Sequence, residues 1–416
     1  MPVNLTTVNS DFLFKLLQDE ALDDEAFYRD HQLLSWCANE TDFTSHIGMD
    51  ISVEYVAPQG AGTTSPIAAS TRNPSAGVKF RIPQRHYSMN AGLERVVLQN
   101  AAQGGRESEF ADALVDQIDG INAQFGDHLE RQLWGTALGY RGTVASFTAT
   151  TIVLTRPSDA QMFEVNQTLQ AVNPGAGTPV LRVGGLGKAV ITGINRTTGT
   201  LTFAALSATE ITDIANGDFL VGEGDFTNLV FNGIQDWAPI TVTPTDNFLG
   251  VNRSKDRERL AGIYWDGSAA TIRNACIAGV QHAKMMAGPR FKKSSPMFIH
   301  PKNMQMLLES VEVAKIVNLE LKTTYGVGLD AVEIMGHRYV EAYGCPLNTG
   351  FLVGEGAFVR ASSGKQPSID SFGQGNSGYH YDPDTGLLTF AYSHDGNSFS
   401  RRPYHILRVS LPPYAP

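Results

Sequence analysis

Between residues 106 and 135 the apolar side chains Phe110, Leu114, Ile118, Ile121, Phe125, Leu129 and Leu133 recur at intervals of three and four. That period is the turn of an α-helix, and it lays one apolar stripe along one face. The other faces carry Glu107, Glu109, Asp112, Asp116, Asp119, Asp127 and Glu130 against Arg106 and Arg131. A helix of roughly 28 residues spans roughly 42 Å, longer than most helices of compact enzymes. The spacing therefore predicts a girder, whose buried stripe would stabilise its packing by about 10–20 kcal/mol as an upper bound. Its acids are spread over a solvated or interface face rather than paired, so they suggest no acid–base chemistry.

The flanks differ in character. Residues 1–48 hold short amphipathic pieces, one over 11–17 with Ser10 as cap and one over 24–37. Neither piece can build a core alone, so the segment reads as an arm that packs on something else. From Asp50 to about Met89 two alternating runs read as strands: Ile51, Val53 and Tyr55 in one, Val78, Phe80 and Ile82 in the other. A Gly-, Pro-, Ser-, Thr- and Ala-rich stretch separates them. Such a two-limbed ribbon is marginal alone in water and is expected to lie on a neighbouring subunit; the alternative is a flexible loop.

After Gly135 the pattern changes again. Residues 140–240 are rich in Thr, Val, Gly and Ile, with strands expected at 148–154, 180–183, 189–194, 200–206 and 218–221 and a hairpin turn at Thr198-Gly199. This is an all-β insertion large enough to be a domain. Beyond Asp246 the pattern is mixed. A helix capped by Ser268 runs to Met286 with Ile272, Cys276, Val280 and Ala283 on one face, and Gly288-Pro289 stops it. A short strand at 297–299 leads to Pro301, which opens a helix through Met304, Leu307, Leu308 and Val311. Strands follow at 332–334, 338–341 and 351–353, and two longer ones at 387–392 and 406–411 close the chain.

A net charge of −10 over 416 residues argues against a general nucleic-acid binder, which needs a basic face for phosphates. Cys37, Cys276 and Cys345 are odd in number and widely spaced, which fits buried reduced thiols rather than a disulfide frame. No signal peptide is expected, and no run approaches the roughly 20 apolar residues of a membrane span. The run Val183–Ala189 resembles a phosphate loop only superficially. Arg182 stands where the first glycine of that loop belongs, and Ala189 follows Lys188 where Ser or Thr is needed. The histidines, His282 and His300 among them, show no metal-ligand spacing. Asp382, Asp384 and Gly386 read as a β-turn, lacking the later Glu of a calcium loop. No catalytic, cofactor-binding or metal-binding residue is assigned, and no cofactor is expected.

The order of these pieces resembles the tailed-phage major capsid proteins of the HK97 fold. Phe80-Arg81-Ile82-Pro83, continuing through 93–101 into 108–135, is similar to the family's ribbon return and spine helix. Phe298-Ile299-His300-Pro301-Lys302-Asn303 resembles the strand, proline and helix step of its A-domain. Met335-Gly336-His337-Arg338-Tyr339-Val340, with Cys345-Pro346 and the segment 350–356, looks like a later strand pair. The resemblance covers nearly the whole chain, and the inserted β module resembles an extra domain that some members carry.

The resemblance implies an α+β capsid fold: N-terminal arm 1–48, E-loop 49–92, P-domain with spine helix 93–139, inserted β domain 140–240, mainly A-domain 241–362, and P-domain return strands with the C-terminus 363–416. It implies a structural protein, not an enzyme, whose hexamers and pentamers close into an icosahedral shell around double-stranded DNA of a tailed phage. The shell would assemble in the host cytoplasm, with separate scaffolding, portal and decoration proteins as further partners and no membrane. Only about fifty residues precede the ribbon, so a fused scaffold is not expected. Some members crosslink a ribbon lysine to a neighbour's asparagine. Lys79 occupies such a ribbon, but no partner Asn or catalytic Glu is marked by motif. Two alternatives remain: an encapsulin-like compartment of the same fold, and a cytoplasmic enzyme with a β-rich accessory domain.

Overall fold

The computed structural model describes residues 31–43, 48–58, 60–70, 72–94, 120, 123–174, 179–182, 188–204, 214–288, 295–310, 332–334, 336–364, 368–369, 380–382 and 387–414. The C-terminal part of the stripe is helical over residues 123–134 (helix α3), with Phe125, Leu129 and Leu133 buried as the spacing requires. Phe110, Leu114, Ile118 and Ile121, and with them the length of the girder, lie outside the described residues.

Glu130 is a correction to the solvated-face reading, because only 5% of it is exposed. Its carboxylate accepts from the backbone N–H of Leu33 at 3.0 Å and of Leu34 at 2.8 Å. These donors lie in the first turn of helix α1 (Gln32–Trp36), whose own N-cap makes no side-chain bond. A helix start leaves its N–H groups unpaired and partly positive, and the buried carboxylate satisfies two of them. Of the expected arm helix over 24–37, residues 32–36 are helical, and residues 24–30, like the 11–17 piece, lie outside the described residues.

The chain divides into two units, residues 131–237 and the remainder. In the larger unit the strands run β1 (Ala38–Glu40), β2 (Met49–Val56), β3 (Ala76–Ile82) and β4 (Arg85–Glu94) before the break. The smaller unit holds β5 (Tyr140–Phe147), β6 (Thr151–Leu154), β7 (Thr168–Asn173), β8 (Val180–Leu181), β9 (Ala189–Asn195), β10 (Thr200–Phe203) and β11 (Phe219–Gly222). The larger unit then resumes with β12 (Ile263–Asp266), β13 (Met297–Ile299), β14 (Val332–Ile334), β15 (His337–Glu341), β16 (Thr349–Val353) and β17 (Phe358–Ser362). It ends with β18 (Ser368–Ile369), β19 (His380–Asp382), β20 (Leu387–Ser400) and β21 (Ile406–Ser410).

The smaller unit is an antiparallel barrel. Its strands pair in the order β11-β5-β6-β10-β9-β7, and β11 also pairs with β7, which closes the ring. Closure leaves those strands no free edge. Alternate side chains point inward, and Val144, Ile152, Leu154, Phe163, Leu169, Ile191, Leu201 and Leu220 fill the interior. Two strands, β5 and β7, carry no strong sequence signal. The expected strand over 148–154 is instead a hairpin turn followed by β6. Thr148 Oγ1 accepts from the N–H of Thr151 at 3.0 Å, the local bonding by which Thr competes with a ladder. Gly199, at φ +68°, makes the β9–β10 turn where Thr198-Gly199 predicted one. Asp218 is 2% exposed and is held by two bonds from Arg182, at 2.8 and 2.7 Å.

One sheet of the larger unit has the order β12-β21-β16-β13-β15-β14. Helices α4 (Ile272–Ala287) and α5 (Pro301–Glu309) share its core, which contains Cys276, Val280, Met304, Leu307, Leu352 and Val409. Thr271, not Ser268, is the N-cap of α4. Asp266 Oδ1 ties the N–H of Ser268 at 3.0 Å in a turn that precedes the helix. A Cβ at Gly279 would meet Val409 Cγ2 at 2.7 Å, so the glycine lets α4 lie close on β21. Pro301 begins α5 as expected, and His300 Nδ1 accepts from the N–H of Lys302 at 3.2 Å. Leu308, on the expected helix, is 47% exposed.

The second sheet is built on β20. Strand β4 runs along one side of it, from Leu387↔Glu94 to Gly396↔Arg85. Strands β17, β18 and β19 take successive stretches of the other side, and β1 continues the sheet beyond β17. The expectation ended this strand at residue 392. The strand continues to Ser400, with Ser393, His394, Asn397, Ser398 and Ser400 all buried. Burial, and next the Arg360 guanidinium, push the His394 pKa well down, so the ring stays neutral. The two closing strands also part: β20 lies in this sheet, β21 in the one carrying α4 and α5.

Candidate assembly surfaces

The ribbon forms as the alternation predicts. Strands β2 and β3 pair antiparallel with Ile51 opposite Phe80 and Val53 opposite Val78. One face is buried through Ile51, Val53, Phe80 and Ile82. Phe80 meets the edge of Phe248 at 6.3 Å between ring centroids, and the N–H of Arg81 donates to Leu249 O at 3.2 Å. A Cβ at Gly48, at φ +130°, would meet Ile82 O at 2.6 Å, so glycine sits where the ribbon begins. The Arg259 guanidinium donates to Tyr55 O. These contacts anchor the root of the ribbon.

The rest of it is bare. Asp50, Ser52 and Glu54 on β2 and Lys79 and Arg81 on β3 are exposed. Beyond the paired segment lies the short helix α2 (Ser65–Ser70), with Ile67 47% exposed. Lys79 stands opposite Ser52.

A cavity of about 250 Å³ opens at the root, lined by Val53, Glu54, Tyr55 and Ala57 of the ribbon and by Arg401, Arg402 and Tyr404. Arg401 Nη2 donates to Glu40 Oε2 at 2.7 Å. Arg402 is exposed and makes no ion pair among the described residues, and the hydroxyls of Tyr55 and Tyr404 make no hydrogen bond among them. No sequence motif marked this notch, since its two halves are more than three hundred residues apart.

Groups expected to be chemically silent sit as follows. All three cysteines are buried and free. Burial pushes the Cys276 thiol up to about 12 and pushes Cys37 and Cys345 higher still. His282 lies against Trp265, with the ring centroids 4.9 Å apart and the planes tilted by 39°. Lys188 pairs with Glu223, while residues 183–187 lie outside the described residues. Asp382 pairs with Leu387 across the β19–β20 hairpin, whose connecting residues, Asp384 and Gly386 among them, are also outside them. Among the described residues no group of His, Cys, Asp and Glu is placed to hold a metal ion. No helix among them is long and apolar enough to cross a membrane.

The sequence matches no family model and no curated protein. Solved structures do match. The chain is similar to a chain of the cyanophage A-1(L) capsid asymmetric unit at 12% identity, covering 92% of this chain and 93% of that one, with a TM-score of 0.52. It is also similar to a chain of the native GTA particle capsid at 10% identity, covering 92% and 90%, with a TM-score of 0.43. A chain of Gordonia phage Cozz matches at 10% identity, covering 91% and 85%, with a TM-score of 0.41. The first likeness spans nearly all of both chains, and this chain has a phage capsid-like fold.

Proposed function

We propose that this chain is the major capsid protein of a tailed phage, an HK97-type subunit that closes with its copies, as hexamers and pentamers, into an icosahedral shell around double-stranded DNA. The observation that carries the reading is the likeness in fold to the cyanophage capsid chain, end to end at a TM-score of 0.52. The ribbon adds support. It buries one face at its root and leaves its far part exposed, and a two-stranded ribbon gains stability when something covers it. In this reading residues 49–92 are the E-loop over a neighbour, the stripe from 106 to 135 is the P-domain spine, and 241–362 supply most of the A-domain. The barrel is the inserted β domain, and 363–416 return to the P-domain and the C-terminus. The residues before the ribbon form the N-terminal arm. Scaffolding, portal and decoration proteins are separate chains. The acidic balance suits a shell that encloses DNA without gripping it, and assembly takes place in the host cytoplasm.

The test is negative-stain electron microscopy of the purified chain after sedimentation. Closed shells, or rings of five and six subunits, are expected. A monomer or dimer unchanged by crowding agents, and still unassembled when the phage's scaffold is co-expressed, overturns the reading. Shells purified with enzyme cargo and no DNA would point instead to a compartment.

A further inference from the structure

The notch at the ribbon root is assembled from two sides, each held by its own contacts. On the ribbon side the pairing of β2 with β3 slips between Glu54 and Val56, so Tyr55 is the extra residue of a β-bulge. A bulge interrupts the ladder and re-aims a side chain. The Tyr55 carbonyl is satisfied from outside the ribbon, by the Arg259 guanidinium. On the other side Tyr404 lies in the short 3₁₀ turn Pro403–His405, between the buried Pro403 and His405. The His405 carbonyl accepts from the N–H of Gly354 at 2.9 Å. Both tyrosines are thus held at the backbone, and their hydroxyls make no hydrogen bond among the described residues.

The cations of the notch differ in how they are compensated. Arg401 pairs with Glu40 at 2.7 Å, and Arg259 lies 3.6 Å from Asp256. Arg402 makes no ion pair among the described residues. Glu54 also lines the notch, but it falls in the exposed alternation with Asp50 and Ser52, opposite the buried face of Ile51 and Val53. The cavity therefore offers a guanidinium fork and two hydroxyl donors. A carboxylate brings two oxygens to such a set and a phosphate monoester brings three, and arginine binds either through paired N–H donors. The volume of about 250 Å³ has room for the phosphate and for part of the group that carries it.

We propose that this notch binds the phosphate of a small phosphomonoester, with Arg402 and the hydroxyls of Tyr55 and Tyr404 donating to its oxygens. The site lies within one subunit and does not depend on assembly.

The test is isothermal titration calorimetry on the purified full chain. Adenosine 5′-monophosphate, glucose 6-phosphate and inorganic phosphate are separate titrants, with adenosine and acetate as controls. Saturable binding of both monoesters is expected, and none of adenosine or acetate. Arg402→Gln is expected to weaken it at least about tenfold, and Tyr55→Phe combined with Tyr404→Phe by a smaller factor, with the circular dichroism of the wild type. Should Arg402→Gln fail to fold, Arg402→Lys, which keeps the charge and loses the fork, takes its place. Glu54→Gln is expected to tighten binding, since it removes a like charge from the rim. Equal affinity for the three phosphates assigns the site to the phosphoryl group alone, and a preference for one monoester assigns the remaining space to the group it carries. Three results overturn the proposal: no saturable binding of either monoester, binding that the Arg402 variants leave unchanged, or acetate binding as tightly as the monoesters.

Discussion

The barrel and the ribbon are both antiparallel β-structure with alternating apolar residues, yet they end in opposite states. The barrel pairs β11 with both β5 and β7, so its ring has no open edge and its alternate residues fill a shared interior. The ribbon has two strands, one buried face at the root, and an exposed remainder. Backbone groups satisfied within one chain make a unit complete in itself. Backbone and side chains left open make one that is completed by something else. Local pattern does not distinguish the two, because strand count and closure are properties of the whole chain.

The comparison breaks most directly in the barrel interior. Leu201 is fully buried, so Leu201→Asp is expected to unfold the smaller unit, at a cost of about 4 kcal/mol or more. Limited proteolysis should then cut within 131–237. Resistance equal to wild type would mean the barrel core is not what holds that unit. At the ribbon root, Phe80→Ala removes a fully buried ring and is expected to cost about 3–4 kcal/mol. Denaturant unfolding checks it, and a loss below about 1 kcal/mol would mean the root is anchored by its backbone alone.

A smaller effect should appear in the barrel unit with pH. Burial raises the Asp159 carboxyl from its usual range to about 6, against the opposing pull of Arg156. The folded state therefore holds that proton more tightly than the unfolded chain. The resulting penalty is absent below about pH 4, grows as pH rises through 6, and is full above it. Asp159→Asn should leave stability unchanged at pH 3.5 and raise it by about 1–2 kcal/mol at pH 7.5, read from unfolding at both pH values. A gain at both would assign the effect to something other than ionisation. The smallest change in stability is expected at the ribbon's exposed part. Ile67→Ser should shift folding by less than about 0.5 kcal/mol yet reduce assembly in a sedimentation assay. Unaltered assembly would remove Ile67 from any contact between copies.

The limits of local pattern are clearest at particular residues. The stripe at Phe125, Leu129 and Leu133, the ribbon strands, Pro301 opening α5 and the Thr198-Gly199 turn all follow from periodicity and turn chemistry, which act within a few residues. Glu130 does not, because its burial depends on α1, nearly a hundred residues earlier in the chain. Nor does the second half of β20. Ser393, His394, Asn397 and Ser398 look like a turn by composition, and only the strands flanking β20 make them a buried strand. The notch was equally invisible: Arg402 and Tyr55 come to line one cavity only when the fold brings them together.

What the sequence by itself determined was the helical stripe at Phe125, Leu129 and Leu133, the ribbon and several other strands, that its thiols would be buried and unpaired, and the order of pieces that resembles a capsid subunit. These depend on short-range spacing and side-chain type. Only the tertiary structure decided that one set of strands closes into a barrel while another stays an open ribbon, that the two last strands join different sheets, and that a glutamate caps a distant helix. Those outcomes depend on which distant backbone groups find partners, and no local window of residues contains that information.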